Sequence, residues 1–137
     1  MLQIYYHNSK DPRPNQPILP SVHGVVINES NAILLHRRED SPLWAIPGGK
    51  IKIDESVERC LKREMREELG IEVSAKRLLG IYSDPFYIIA SSKQVHRVFL
   101  IVFLSVIKKG KLKLTNETAE YRKIKKGDTV LVHAAAG

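Results

Sequence analysis

Three carboxylates at helical spacing, Glu64, Glu67 and Glu68, are the residues of this chain whose types and positions best suit chemistry. They lie in the segment GKIKIDESVERCLKREMREELGI, from Gly49 to Ile71. Successive side chains of an α-helix advance by about 100°. With Val57 as origin, the apolar residues Cys60, Leu61, Met65 and Leu69 share about half of the circumference, the arc that should face a core. Glu64 and Glu68 project into that same arc, and Glu67 stands at its edge. A carboxylate turned toward a core is costly unless it is paired or bound to a metal. Acids three and four residues apart also repel one another. A hard divalent cation resolves both problems, because Mg²⁺ and Mn²⁺ prefer oxygen ligands and neutralise the cluster. Taken alone, E-x-x-E-E is more often a solvated acidic stripe, here paired with Lys62, Arg63 and Arg66. The flanking residues decide between the two.

Upstream, Pro47-Gly48-Gly49 brings bare backbone to the helix start, where the Gly49 carbonyl can offer a further hard ligand. Glu55 stands just before the helix and Arg63 just before Glu64. Gly49, Glu55, Arg63, Glu64, Met65, Glu67, Glu68, Gly70 and Ile71 fill every fixed position of the pattern GX5EX7REUXEEXGU, where U is a bulky aliphatic residue, with both spacers at the correct length. This pattern is the Nudix box, and the chain resembles the Nudix family through it. Trp44-Ala45-Ile46-Pro47-Gly48-Gly49 upstream and Ile81-Tyr82-Ser83-Asp84-Pro85 downstream extend the resemblance, in its MutT-like branch, over residues 18–124.

The resemblance implies an α/β fold, a Nudix-like α/β/α sandwich with a mixed β-sheet and a loop-helix-loop catalytic motif. It implies a hydrolase that cleaves the diphosphate linkage of a nucleoside diphosphate derivative, such as a nucleoside triphosphate or ADP-ribose. Carried onto this sequence, Glu64, Glu67 and Glu68 would hold the catalytic Mg²⁺, or Mn²⁺ as its substitute, with help from the Gly49 carbonyl. Glu55 and Arg63 would form the salt bridge that orients Glu64. A carboxylate of the cluster, or one from a later loop, would accept the proton of the attacking water. Glu117 is the candidate for a further metal ligand, and Arg38, Phe86 and Glu120 are candidates for contact with substrate. Each has a plainer reading: exposed acids offsetting nearby lysines for Glu117 and Glu120, a strand-end arginine for Arg38, and packing for Phe86 and its neighbour Tyr87. Trp44 reads as a core or loop anchor, His36 and His96 as structural histidines, and Cys60 as a small buried hydrophobe.

The elements that must position these residues follow from the surrounding pattern. Strands are expected at Val22 to Ile27 and Ala32 to His36, joined as a hairpin by Asn28-Glu29-Ser30-Asn31. A helix from Ser56 to Leu69 should stop at Gly70. Ile71 to Val73 and Leu78 to Tyr82 read as strand pieces, and Val95 to Ile107 as one long strand. Lys111 to Leu114 is expected to pair back after a lysine-rich turn, and Tyr121 to Ile124 to add a last short strand. The 137 residues read as one domain, residues 1–137, with residues 1–17 as an extended arm carrying Pro12, Pro14 and Pro17.

No apolar run approaches the ~20 residues of a membrane span, and the start lacks a signal-peptide layout. With a single cysteine, the expectation is a cytoplasmic protein whose partner is a small nucleotide and not a membrane. The net charge of +7 is concentrated between Lys93 and Lys126, a field that attracts phosphate-bearing ligands. RNA binding or decapping is therefore one alternative, and a non-catalytic nucleotide sensor is another. The stretch from Val130 to Gly137 leaves little for the closing helix common in the family. Part of the pocket is then expected to be shaped differently or completed by a second subunit, as in a homodimer.

Overall fold

Ser56, Gly70 and four apolar residues between them define the helix that carries the acidic cluster. The computed structural model describes residues 2–38, 43–112 and 117–123, with the backbone alone for residues 2, 38, 117 and 118. Helix α1 (Val57–Leu69) is capped by Ser56, whose hydroxyl accepts from the Arg59 amide at 3.2 Å. Glu58 in the first turn suits the positive end of the helix dipole. Gly70, left-handed at φ 69°, ends the helix, and its amide donates to the Arg66 carbonyl at 3.0 Å. Cys60, Leu61, Met65 and Leu69 are buried, the face that the sequence pattern assigned to the core.

The strands are β1 (Leu2–Tyr6), β2 (Ser21–Val26), β3 (Ile33–Arg38), β4 (Gly48–Lys50), β5 (Glu72–Tyr82), β6 (Tyr87–Ser91), β7 (Gln94–Arg97), β8 (Leu100–Lys109) and β9 (Glu117–Arg122). A four-stranded mixed sheet has the order β4-β2-β8-β5, with β2 and β8 parallel and the other pairings antiparallel. Beside it stand a three-stranded sheet, β1-β6-β7, and the pair β3-β9. Strand β2 is buried along its whole length, so its side chains serve two cores. Val22 and Val26 join Leu61, Met65, Leu69 and Phe103 beneath α1. Val25 joins Leu35, Ile46, Ile89, Leu100 and Val102 on the other face. Between them, a Cβ at Gly24 would stand 2.5 Å from Met65 Cε and 2.8 Å from Leu61 Cδ1. The absence of a side chain there lets the helix approach the sheet.

Several expected elements are rearranged. The turn at Asn28 exists: its Oδ1 accepts from the Ser30 and Ala32 amides at 2.9 and 3.0 Å. The two flanking strands nonetheless meet only at the Ile27–Ile33 bridge and then part, β2 to β8 and β3 to β9, so the expected hairpin is a divergent turn. The expected long strand from Val95 to Ile107 is two strands. At the break, the Val98 amide still bonds the Tyr87 carbonyl while the Phe99 carbonyl already accepts from Ser21, so the chain changes partner between sheets. The two pieces expected after the helix are one strand, β5, with register shifts near Ala75 and Leu78.

The N-terminal arm is extended, but it is part of a sheet: β1 pairs antiparallel with β6, from Leu2↔Ser91 to Tyr6↔Tyr87. Asn15 fixes the following segment, donating to the Lys93 carbonyl at 2.8 Å and accepting from the Val95 amide at 2.9 Å. Lys111 and Leu112 are not in a strand. Leu114, Ile124, Lys126 and the segment from Val130 to Gly137 lie outside the described residues. No helix among the described residues is long and apolar enough to cross a membrane.

Candidate active site

Arg63, on the second turn of α1, reaches back over the loop that leads into the helix. Its Nε and Nη2 clamp the Glu55 carboxylate at 2.5 and 3.0 Å. Nη2 also donates to the Lys50 carbonyl at 3.0 Å, and Nη1 to Glu64 Oε1 at 2.8 Å and Glu67 Oε2 at 3.2 Å. Glu55 also accepts from the Lys52 amide at 2.9 Å. The planar fork of a guanidinium suits this two-sided duty, which a point charge on an ammonium cannot reproduce. The Arg63, Glu55 and Glu64 side chains are 15%, 9% and 13% exposed, so these pairs lie where solvent screens them little.

The hydrogen bond from Arg63 holds the Glu55 carboxyl down to about 2, against the opposing effect of burial. The same partners, Glu55 foremost, push the Arg63 guanidinium up. A depressed carboxyl pKa contributes stability that is present above the ordinary value and lost as pH falls through the folded one. Unfolding by urea at stepped pH should therefore show wild-type stability declining from about pH 4.3 toward pH 2, and a shallower decline in Glu55→Gln. Equal slopes in the two proteins would remove Glu55 as the source.

Glu64 lies against Gly49, where any Cβ would collide with the Glu64 carboxylate. The fixed glycine of the motif thus has a steric reason in addition to its carbonyl. That carbonyl lies 3.6 Å from the Cys60 sulfur. Burial raises the Cys60 thiol to about 12, consistent with a packing role and not with a nucleophile. Gly48 is similarly confined, since a Cβ there would strike the backbone of Val22 and His23. Buried His23, which the sequence reading did not single out, supports the same loop: its Nδ1 lies 2.9 Å from the Ile46 carbonyl and its Nε2 3.1 Å from the Ser21 hydroxyl.

Glu67 is 57% exposed and turned onto Arg63. Glu68 is 17% exposed, and its Oε2 lies 3.9 Å from Nδ1 of His36, whose side chain is 9% exposed. Hard oxygen donors and a glycine-lined cradle on one side of α1 suit a divalent cation. Among the described residues, no three acidic, histidine or cysteine groups converge at coordinating distance. Holding an ion would require the acidic side chains to draw closer together than they stand here.

The remaining expected site residues are dispersed. Arg38 ends β3 opposite Glu117 of β9, in register with the pairs His36↔Ala119 and Leu34↔Tyr121. Leu34, Ala119 and Tyr121 pack in the core beneath α1, so Glu117 falls in phase with the strand positions on the acidic helix's side. Glu120 stands opposite Leu35, a residue of the other core, and pairs with Arg122 at 3.4 Å. Both acids are therefore strand residues, where the family resemblance implied a loop. Phe86 is exposed in the turn after β5, its ring 5.0 Å from that of His7. Trp44 is an anchor, as expected: it packs on the second core, with the guanidinium carbons of Arg37 and Arg122 at 5.1 and 4.8 Å from its ring centroid. His96 is half-buried on β7, its pKa lowered by burial and by Lys50.

Residues 17–134 match the NUDIX domain, and the chain belongs to the Nudix family. A MutT-like protein of Streptomyces ambofaciens is 42% identical over 64 residues, which cover 47% of this chain and 42% of that protein. An ADP-ribose pyrophosphatase of Methanocaldococcus jannaschii is 35% identical over 98 residues, covering 69% of this chain and 55% of that one. The chain thus spans about half the length of these curated relatives. Among solved structures, a MutT protein from Methanosarcina mazei superposes with a TM-score of 0.62 at 27% identity, over 80% of each chain. The fold is the α/β Nudix sandwich with its mixed sheet.

Proposed function

We propose that this chain is a metal-dependent hydrolase of the diphosphate linkage in a nucleoside diphosphate derivative, acting in the cytoplasm. The observation that carries the reading is the Arg63 clamp, which fixes Glu55 and Glu64 while Glu64 rests in the space left by Gly49. A structural helix has no use for a half-buried carboxylate fitted against a glycine and oriented by an arginine. A hydrolytic site does. Glu64, Glu67, Glu68 and the Gly49 carbonyl would hold Mg²⁺, with Mn²⁺ as a substitute. Such a cation, when bound, withdraws charge from the diphosphate and lowers the pKa of a water near it.

The protein's own part is positional. Arg63 keeps Glu64 oriented through Nη1, and Glu55 keeps Arg63 from swinging away. A carboxylate of this cluster, with Glu64 the best held, accepts the proton of the attacking water. Arg38 would meet the phosphate end of a substrate and Glu117 would add an oxygen ligand, a reading supported by their pairing at the end of β3 and β9. Among relatives, the ADP-ribose pyrophosphatase makes ADP-ribose a natural first substrate to assay, with nucleoside triphosphates beside it.

The test is a panel of nucleoside triphosphates, ADP-ribose, dinucleoside polyphosphates and sugar nucleotides, scored for release of phosphate, pyrophosphate or nucleoside monophosphate. Mg²⁺ or Mn²⁺ should support turnover, and EDTA should abolish it. Full activity in chelated protein would overturn the metal assignment, and inactivity across the panel with either ion would overturn the hydrolase reading.

A further inference from the structure

We propose that His36 is a positioning residue for Glu68, setting the direction in which that carboxylate presents its oxygens to a divalent cation. The inference rests on the reading of Glu68 as a cation ligand. His36 is fixed at its backbone on both sides of β3. Its amide and carbonyl exchange hydrogen bonds with Ala45 at 2.9 and 2.8 Å, and it stands opposite Ala119 of β9. The imidazole therefore extends from an anchored strand, not from a loop. It is almost wholly buried, and its Nδ1 lies 3.9 Å from Glu68 Oε2, on a different element.

Among the described residues, the acidic cluster is approached from two elements. Arg63, on the helix itself, contacts Glu64 and Glu67. His36 approaches Glu68 from the sheet. The 3.9 Å separation is longer than a hydrogen bond, so the proposed contact forms when the carboxylate turns Oε2 closer to an Nδ1 that carries the ring proton. In the poorly solvated gap between strand and helix, such a partner orients a carboxylate more effectively than water does. Partners that orient a metal ligand commonly alter metal affinity by about 10–100-fold when they are removed. The sequence offered no sign of this role, because a histidine on a buried strand is ordinarily a satisfied core residue.

The test is the Mn²⁺ affinity of metal-stripped protein, read from the electron paramagnetic resonance signal of free Mn²⁺, for wild type, His36→Leu, His36→Asn and Glu68→Gln. His36→Leu should weaken Mn²⁺ binding about tenfold or more. His36→Asn, whose side-chain amide can place an N–H near the position of Nδ1, should stay within about threefold of wild type. A merely structural role would lower the melting temperature of both variants and leave Mn²⁺ affinity unmoved. If His36→Leu does not fold, His36→Gln, which carries its amide near the Nε2 position, takes its place with the same expectation. Wild-type affinity in the variant lacking the Nδ1 donor, alongside weakened binding in Glu68→Gln, overturns the role of His36 alone. Wild-type affinity in Glu68→Gln overturns the ligand reading on which the proposal stands.

Discussion

Replacing Glu67 or Glu68 by Gln is expected to slow turnover by about a hundredfold or more, about 3 kcal/mol in barrier, while the fold survives. The amide keeps the shape and removes the charge that a divalent cation requires. The two positions should differ in what else they disturb. Glu67 is largely exposed and holds Arg63 through a single 3.2 Å contact, so its loss leaves the Glu55 and Glu64 pairs intact. An exposed contact of this kind contributes little stability. Glu68 is mostly buried beside His36 and stands four residues after Glu64. Glu68→Gln relieves like-charge repulsion along the helix, so in EDTA its melting temperature should equal or exceed that of wild type. Steady-state kinetics at saturating Mg²⁺ and thermal melts in EDTA are the measurements. Near wild-type turnover in either variant removes that residue from the ligand set.

The acidic helix was legible because its evidence is local. A capping serine, a terminating glycine and a 3.6-residue apolar period all act within one segment, so Ser56 to Gly70 could be bounded from sequence. The same holds for the motif, whose spacings alone bring Gly49, Glu55 and Arg63 to Glu64. Strand partners are not local. Apolar runs near Ser21 and Ile33 announce strands, yet nothing in them says that the first will pair with Leu100–Ser105 and the second with Glu117–Arg122. The break at Val98–Phe99 was invisible for the same reason: both sides are apolar and extended, and only the change of partner separates them. Register also discriminates where composition could not. Glu117 and Glu120 look equivalent in the sequence, yet odd spacing puts them in opposite phase on β9, and only Glu117 shares the phase of Ala119 and Tyr121 on the helix side.

Arg63→Ala should lose both stability and rate, through geometry alone. Glu55 and Glu64 are each less than one-seventh exposed and both rely on this guanidinium. Removing one partner of such a pair leaves uncompensated charge in a poorly solvated place, a loss of about 3–5 kcal/mol. Solvent can reach part of the cluster, which places the expected value at the lower end of that span. Because Arg63 is not assigned a contact with substrate, the kinetic loss should fall mainly on kcat: the nucleotide end still binds while Glu64 no longer points where the water and cation need it. Lysine should rescue poorly. An ammonium can approach one carboxylate, but it cannot clamp Glu55 through two nitrogens while also donating to Glu64 and the Lys50 carbonyl. Chemical denaturation and steady-state kinetics on Arg63→Ala and Arg63→Lys decide the matter. Full activity in Arg63→Lys, or a change confined to KM at unchanged stability in Arg63→Ala, would show that the arginine serves substrate and not the architecture of the cluster.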